Sequence, residues 1–343
     1  MVRETIRRSY SSGAKAIRNP MKAFRHLRMR SESVVSTAWR CRSLPRQLEV
    51  LERLRATDEW LLVVLDACRY DALRRVGPQY LRGGFSRLRS AGRDTFEYVR
   101  ECWPAQYPDV TYVSGAVPVN SRADGLPDER SKRLYGGYRP PEHIGRIVDV
   151  WEADWDPSLG VVPPEAVTRE ALSYADESQL VVHYFQPHAP YIGRPTELGH
   201  TNDVSAGPTS GGTVEPADKP LWERVEAGVI SDGRLRACYD GNLHRAMRSV
   251  HRLVTELDHD RVVVMADHGE ALGEFGVYGH PRWCHHPEVR LVPWLDVEDP
   301  VDPDRIAVPE ARSEGTPGSR SEGTPDAAEA DVEQRLRELG YLD

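Results

Sequence analysis

Short unbroken apolar runs, separated by polar stretches rich in glycine and proline, set the pattern of this chain. Trp60–Leu65 (WLLVVL), QLVVHYF at 179–185 and VVVMA at 262–266 are each too short for a buried helix and rich in β-branched residues, so each reads as a core strand. DVTYVSG at 109–115 predicts another strand with a turn after it. Helical patterns begin after Ala67, cover 94–103 (DTFEYVRECW) and 164–174, and extend longest over 232–257. Alternating helices and wholly apolar strands predict an α/β fold, a central mixed and mostly parallel sheet flanked by helices. In such sheets the functional edge is the carboxyl end of the strands.

Two of the apolar runs stop abruptly in polar chemistry. WLLVVL ends at Asp66, and VVVMA ends at Asp267-His268-Gly269-Glu270. A lone Asp at such a place is a common helix cap. Two strand ends offering Asp and Asp-His can instead converge on a divalent cation, because carboxylate and imidazole donors suit Zn²⁺ or Mn²⁺. His188 in QPHAP and His280 in YGHP add imidazoles on loops, surface residues if taken singly and a polar cleft if taken together. Thr95, ahead of FEYVREC, either caps that helix with Glu97 or presents its hydroxyl where helix-start N–H groups favour an anion. Asp240 and His244 have i,i+4 spacing but fall in the long helix upstream of the strand edge, which predicts a structural or surface role. His183 faces either the helices or the cleft, and His285 and His286 follow a loop from which they could reach a substrate.

Composition adds boundaries. Only 39% of the 343 residues are hydrophobic, while 27 Gly and 26 Pro imply long loops. The net charge is −8, yet the first 46 residues carry twelve basic and two acidic side chains, so the remainder is strongly acidic. Such an arm fits an anionic membrane surface or the protein's own acidic body; without an aromatic-rich basic platform, no nucleic-acid partner is expected. The five cysteines lack paired metal-binding spacing, and neither a secretory leader nor an 18-residue apolar run is present. The expected location is therefore cytoplasmic, peripheral to the inner face of the membrane through residues 1–46. The expected division is a basic arm over 1–50, a catalytic domain over 51–300, a low-complexity linker over 301–330 that contains RSEGTP twice, and a short helix over 331–343.

The segments LLVVLDACRYD, YFQPHAPYIG and VVVMADHGEALGEFGVYGHP resemble the metal-dependent sulfatases and phosphotransferases of the alkaline phosphatase superfamily. The resemblance spans roughly residues 60–295 and implies an alkaline-phosphatase-like sheet. It implies that Asp66, Asp267 and His268 ligate a single divalent ion, Mn²⁺ or Zn²⁺ with Ca²⁺ as the alternative, together with a hydroxyl nucleophile. Thr95 is the best positional match for that hydroxyl and Ser90 the second. His188 would contact the substrate or its leaving group, and His280 the transferred anion. The Cys-x-Pro-Ser-Arg motif of formylglycine sulfatases, or its serine version, is missing: Cys68 is followed by Arg69-Tyr70-Asp71 and Cys102 sits in CWPAQ. The implied function is a hydrolase or transferase of phosphate or sulfate esters, of glycans or lipids, working through a covalent Thr intermediate. A non-catalytic protein of the same fold that binds a metal or an anionic glycan is the alternative.

Overall fold

The computed structural model describes residues 34, 35, 37, 40–122, 128–193, 221–281, 284–306, 332 and 334–336. The basic arm up to residue 33, the excursion at 196–220, both RSEGTP copies and the end of the chain after 336 lie outside the described residues. Among the described residues there are nine strands: β1 Trp60–Leu65, β2 Leu81–Arg89, β3 Tyr107–Ser114, β4 Ile144–Asp149, β5 Gln179–Tyr184, β6 Val262–Ala266, β7 Ala271–Leu272, β8 Tyr278–Gly279 and β9 Leu291–Pro300. The helices that bear on the site are α1 Gln47–Arg55, α2 Tyr70–Val76, α3 Thr95–Cys102, α4 Pro164–Ala171 and α5 Asp232–Glu256.

Seven strands form one sheet in the order β2-β9-β6-β1-β5-β3-β4. Its five-strand body from β6 to β4 is parallel, and β9 runs antiparallel to both β6 and β2. This is the mixed, largely parallel α/β sheet expected, alkaline-phosphatase-like in plan. All six residues of β1 are buried, because helices cover both faces of a parallel sheet and exclude water from each.

The register places the chemistry. Leu65 of β1 pairs with Ala266 of β6, so the next residues, Asp66 and Asp267, leave the sheet side by side. The chain after Asp267 passes tightly against residues 288–289. A Cβ on Gly269 would lie 2.0 Å from the Glu288 carbonyl oxygen, and the Gly269 N–H donates to the Val289 carbonyl at 2.9 Å. Beyond it, β7 and β8 form a two-stranded hairpin whose ends carry Glu270 and His280. From α1, which precedes β1 in the chain, the Gln47 amide donates to the Ala266 carbonyl at 2.6 Å and accepts from the Ala91 N–H at 3.0 Å, clamping the carboxyl end of β6. Among the described residues no helix is long and apolar enough to cross a membrane.

Candidate metal centre

Asp66, Thr95, Asp267 and His268 are fully buried and meet at the carboxyl edge of the sheet. The Thr95 hydroxyl donates to Asp267 Oδ2 at 2.8 Å and lies 3.4 Å from Asp66 Oδ2. His268 Nε2 stands 3.5 Å from Asp66 Oδ1 and 3.4 Å from Asp267 Oδ2. Ligand bonds of about 2.1 Å in a tetrahedral shell put donor atoms roughly 3.4 Å apart, the spacing these groups already hold. The imidazole is oriented from behind: Nδ1 donates to the Gly269 carbonyl at 2.9 Å, leaving Nε2 as the lone-pair nitrogen. Asp267 is oriented too, since Oδ1 accepts from the Ala67 N–H at 3.0 Å and the His268 N–H at 2.7 Å. Ala67 reaches Asp267 from a left-handed backbone conformation, φ 57°, and its carbonyl is held at 2.8 Å by the Tyr239 hydroxyl of α5.

Thr95 enters as the first residue of α3, and the cap is its neighbour. Asp94 accepts the Glu97 N–H at 2.8 Å, so the capping role considered for Thr95 belongs to Asp94 and the threonine hydroxyl is released toward the carboxylates. Ser90 is turned away: its hydroxyl donates to the backbone carbonyl of Gly92 and approaches that of Asp267.

Two further groupings surround this quartet. His188, Glu270 and His280 each offer one ligand atom within 4.8 Å of the others, and so do Asp66, His183 and Asp267. The two nitrogens His188 Nε2 and His280 Nε2 face each other at 3.1 Å. The His188 loop is fastened by buried Asn242 of α5, which accepts from the Ile192 and Gly193 N–H groups at 2.6 and 2.7 Å and donates to the His188 and Pro190 carbonyls at 3.0 Å. Glu270, His183 and Asn242 were not singled out from the sequence as parts of the site. The first follows a motif already attributed to its neighbours, the second is hidden in an apolar strand, and the third lies between Asp240 and His244 in a helix. Those last two have structural partners, Asp240 with Arg75 and His244 with Tyr80, as expected. His286 is buried against Glu288.

Electrostatics show what the cluster lacks. Burial, then repulsion from Asp267 and Glu270, pushes the Asp66 carboxyl well above its usual range. Burial does the same to Glu270, opposed by Arg69 but reinforced by Asp267 and Glu274. Burial drives His183 and His188 down to about 4, and burial with His268 and His188 beside it holds His280 well below its usual range. Asp66 Oδ1, both Glu270 carboxylate oxygens, His183 Nε2 and His268 Nε2 are buried without a hydrogen-bond partner. Buried carboxylate and imidazole atoms that converge without a protein partner cost several kcal/mol unless a cation joins them. The donor set therefore fits a divalent ion, and both groupings have the makeup of an enzymatic metal site.

No family model matches the chain, and no curated protein does. Several solved structures are similar in fold at low identity. The soluble domain of lipooligosaccharide phosphoethanolamine transferase A from Neisseria meningitidis is 16% identical, with 69% of this chain and 76% of that one covered and a TM-score of 0.41. The C-terminal periplasmic domain of phosphoethanolamine transferase EptC from Campylobacter jejuni is 14% identical, covers 70% and 78%, and has a TM-score of 0.38. Phosphonate monoester hydrolase of Agrobacterium radiobacter is 13% identical, covers 70% and 68%, and has a TM-score of 0.37. The chain spans 48% of a second lipooligosaccharide phosphoethanolamine transferase A structure from Neisseria meningitidis, which is described as an integral membrane protein. Sheet plan and ligand groupings together agree with the alkaline-phosphatase- and sulfatase-like fold read from the sequence. The cytoplasmic placement is corrected. It rested on a missing leader and a missing span, neither of which fixes a compartment, and similar domains are described as periplasmic.

Proposed function

We propose that the protein is a metal-dependent hydrolase or transferase of phosphate esters, with sulfate esters a weaker class, and that Thr95 is its nucleophile. The observation that carries this reading is the Thr95 hydroxyl, 2.8 Å from Asp267 and 3.4 Å from Asp66 in a site whose remaining wall is His268. Asp66, Thr95, Asp267 and His268 would hold the ion, Zn²⁺ or Mn²⁺. When bound, such an ion lowers the pKa of a neighbouring hydroxyl and offsets negative charge on the transferred group.

The chain's own residues account for the rest. Asp267 accepts the Thr95 hydrogen bond and aims the oxygen at an incoming ester. A bond forms from Thr95 Oγ1 to phosphorus, its hydroxyl proton passing to Asp267 Oδ2, as the bond to the leaving oxygen breaks, and His188 or His280 gives that oxygen a proton. Both imidazoles are held neutral by burial before substrate arrives; an anionic ester raises their proton affinity, so the proton is taken up with the substrate. Water or an acceptor alcohol then displaces Thr95 from phosphorus.

Phosphorus is favoured over sulfur because the modified-cysteine motif is missing, Cys68 and Cys102 are buried in the core, and a threonine hydroxyl faces the carboxylates instead. The non-catalytic alternative called for Thr95 to stand apart from these ligands, and the distances argue against it. A side-by-side panel of aryl phosphomonoesters, phosphodiesters and sulfates, including glycan- and lipid-linked esters, with Zn²⁺ or Mn²⁺, tests the reading. Wild type should prefer phosphate, and T95A should lose roughly 10³-fold or more while keeping its fold. Full activity in T95A would remove Thr95 as nucleophile, and a sulfate preference would reverse the substrate assignment.

A further inference from the structure

His183 lies inside an apolar strand, yet it points where Asp66 and Asp267 point. In the parallel register it pairs with Val64, two residues before Asp66, and side chains two apart on a strand share a face. Its Nδ1 is 2.8 Å from the Tyr112 hydroxyl of β3. The Tyr112 oxygen can accept a proton from Nδ1, and in that tautomer Nε2 carries the lone pair, fully buried and without a hydrogen-bond partner. One ligand atom from each of Asp66, His183 and Asp267 lies within 4.8 Å of the others.

We propose that His183 is a second imidazole donor to the ion held by Asp66 and Asp267, with the Tyr112 hydroxyl fixing which ring nitrogen faces it. This rests on the metal site of the preceding section and deepens it. His268 approaches the two carboxylates from the loop after β6, and His183 approaches them from within the sheet. Both rings are held through Nδ1: the Gly269 carbonyl can only accept from His268, and the Tyr112 oxygen accepts from His183 in the metal-binding tautomer, so each ring then offers an Nε2 lone pair to the ion. Two nitrogens with two carboxylates suit Zn²⁺ or Mn²⁺ and suit Ca²⁺ poorly, because Ca²⁺ takes six to eight oxygen ligands. The Ca²⁺ alternative is thereby disfavoured by this chain's own residues.

The competing account is a core histidine satisfied by its tyrosine, and metal binding separates the two without any activity measurement. Zn²⁺ affinity would be measured on the full chain by chelator competition, and the visible spectrum of the Co²⁺-loaded protein recorded, for wild type, H183Q and Y112F, with circular dichroism to follow folding. H183Q should weaken Zn²⁺ toward the upper end of a roughly 10–100-fold range and alter the Co²⁺ absorption, Y112F toward the lower end. Excess Ca²⁺ should not displace the ion. A folded H183Q with wild-type affinity and spectrum overturns the proposal. Should H183Q fail to fold, Y112F decides: reduced affinity supports the role and unchanged affinity overturns it. Wild type that binds no metal would fell the proposed function along with this inference, whereas metal bound equally by all three proteins would fell the role of His183 alone.

Discussion

Glu270 and Glu274 belong to one short motif, four residues apart, and the fold treats them in opposite ways. Glu270 is fully buried with both oxygens unpartnered, and burial pushes its carboxyl well above the usual range. Glu274 is also drawn upward by burial, yet Arg69, Arg236 and the Leu272 N–H outweigh it and hold the group below that range. Arg69, only 4% exposed, spans Glu274 at 2.8 Å, Asp71 at 2.8 Å and the Glu270 carbonyl at 3.0 Å. One set of acids is matched by guanidinium groups built into the chain; the other is left bare around Asp66 and Asp267. Permanent arginine pairs make a scaffold, whereas converging carboxylates without a built-in cation make a place for an exchangeable one.

The largest expected effect strikes the bare set. D267N removes a donor that also holds the Thr95 hydroxyl, so stoichiometric metal should be lost and ester turnover should fall by roughly 10³-fold or more. Elemental analysis after purification without added metal, alongside initial rates, reads both. Metal retained at one ion per chain would show that the contrast between the two sets is misdrawn. R69A attacks the matched set next. Leaving part-buried Glu274 with only the more exposed Arg236 as a partner should destabilise the fold by about 2–4 kcal/mol, discounted from a fully buried pair because Asp71 is 58% exposed and Arg236 remains. Denaturant unfolding measures this. Metal content should remain at wild-type level wherever R69A is folded, and loss of metal from a folded R69A would merge the two regions into one.

How far the sequence revealed this contrast depended on the range of the interactions. The apolar runs ending at Asp66 and at Asp267-His268 were legible because burial on both faces writes itself as uninterrupted hydrophobicity, and their parallel register then sets the two acids side by side. The edge was less legible. β2 and β9 carry charged or glycine-rich stretches whose strand character comes from pairing with each other over 200 residues of chain. Thr95 was placed correctly at a helix start, but a serine- or threonine-type cap was one reading there, and the stronger acceptor beside it, Asp94, takes that role. His183 stood out in its apolar strand but its direction stayed open, and Asn242 left no local mark, since a polar residue inside an apolar strand or helix looks like an exception until its distant partners are known. Glu270 and Glu274 were indistinguishable in one dimension; only the positions of Arg69 and Arg236 separate them.

The smallest effect tests the bare set with the metal removed. Glu270 titrates near its ordinary 4.5 in the unfolded chain and above that value in the folded one. A raised folded value means that the native state holds the proton more tightly, so the stabilisation from protonation is complete below about pH 4.5 and is lost as pH rises through the folded value. E270Q keeps the side chain's size and abolishes that loss. In metal-free protein at pH 7, E270Q should therefore be more stable than wild type by about 1–3 kcal/mol, with the gap closing as pH falls toward 4.5. Asp66 shifts in the same direction but is present in both proteins, so the difference isolates Glu270. Excess Zn²⁺ should shrink or reverse the gap, because beside His188 and His280 the variant can offer the ion only a neutral oxygen in place of a carboxylate. Thermal melts of chelator-treated protein across this pH range give the answer. An E270Q that melts below wild type at every pH, with and without metal, would mean that Glu270 is matched after all and that it belongs with Glu274.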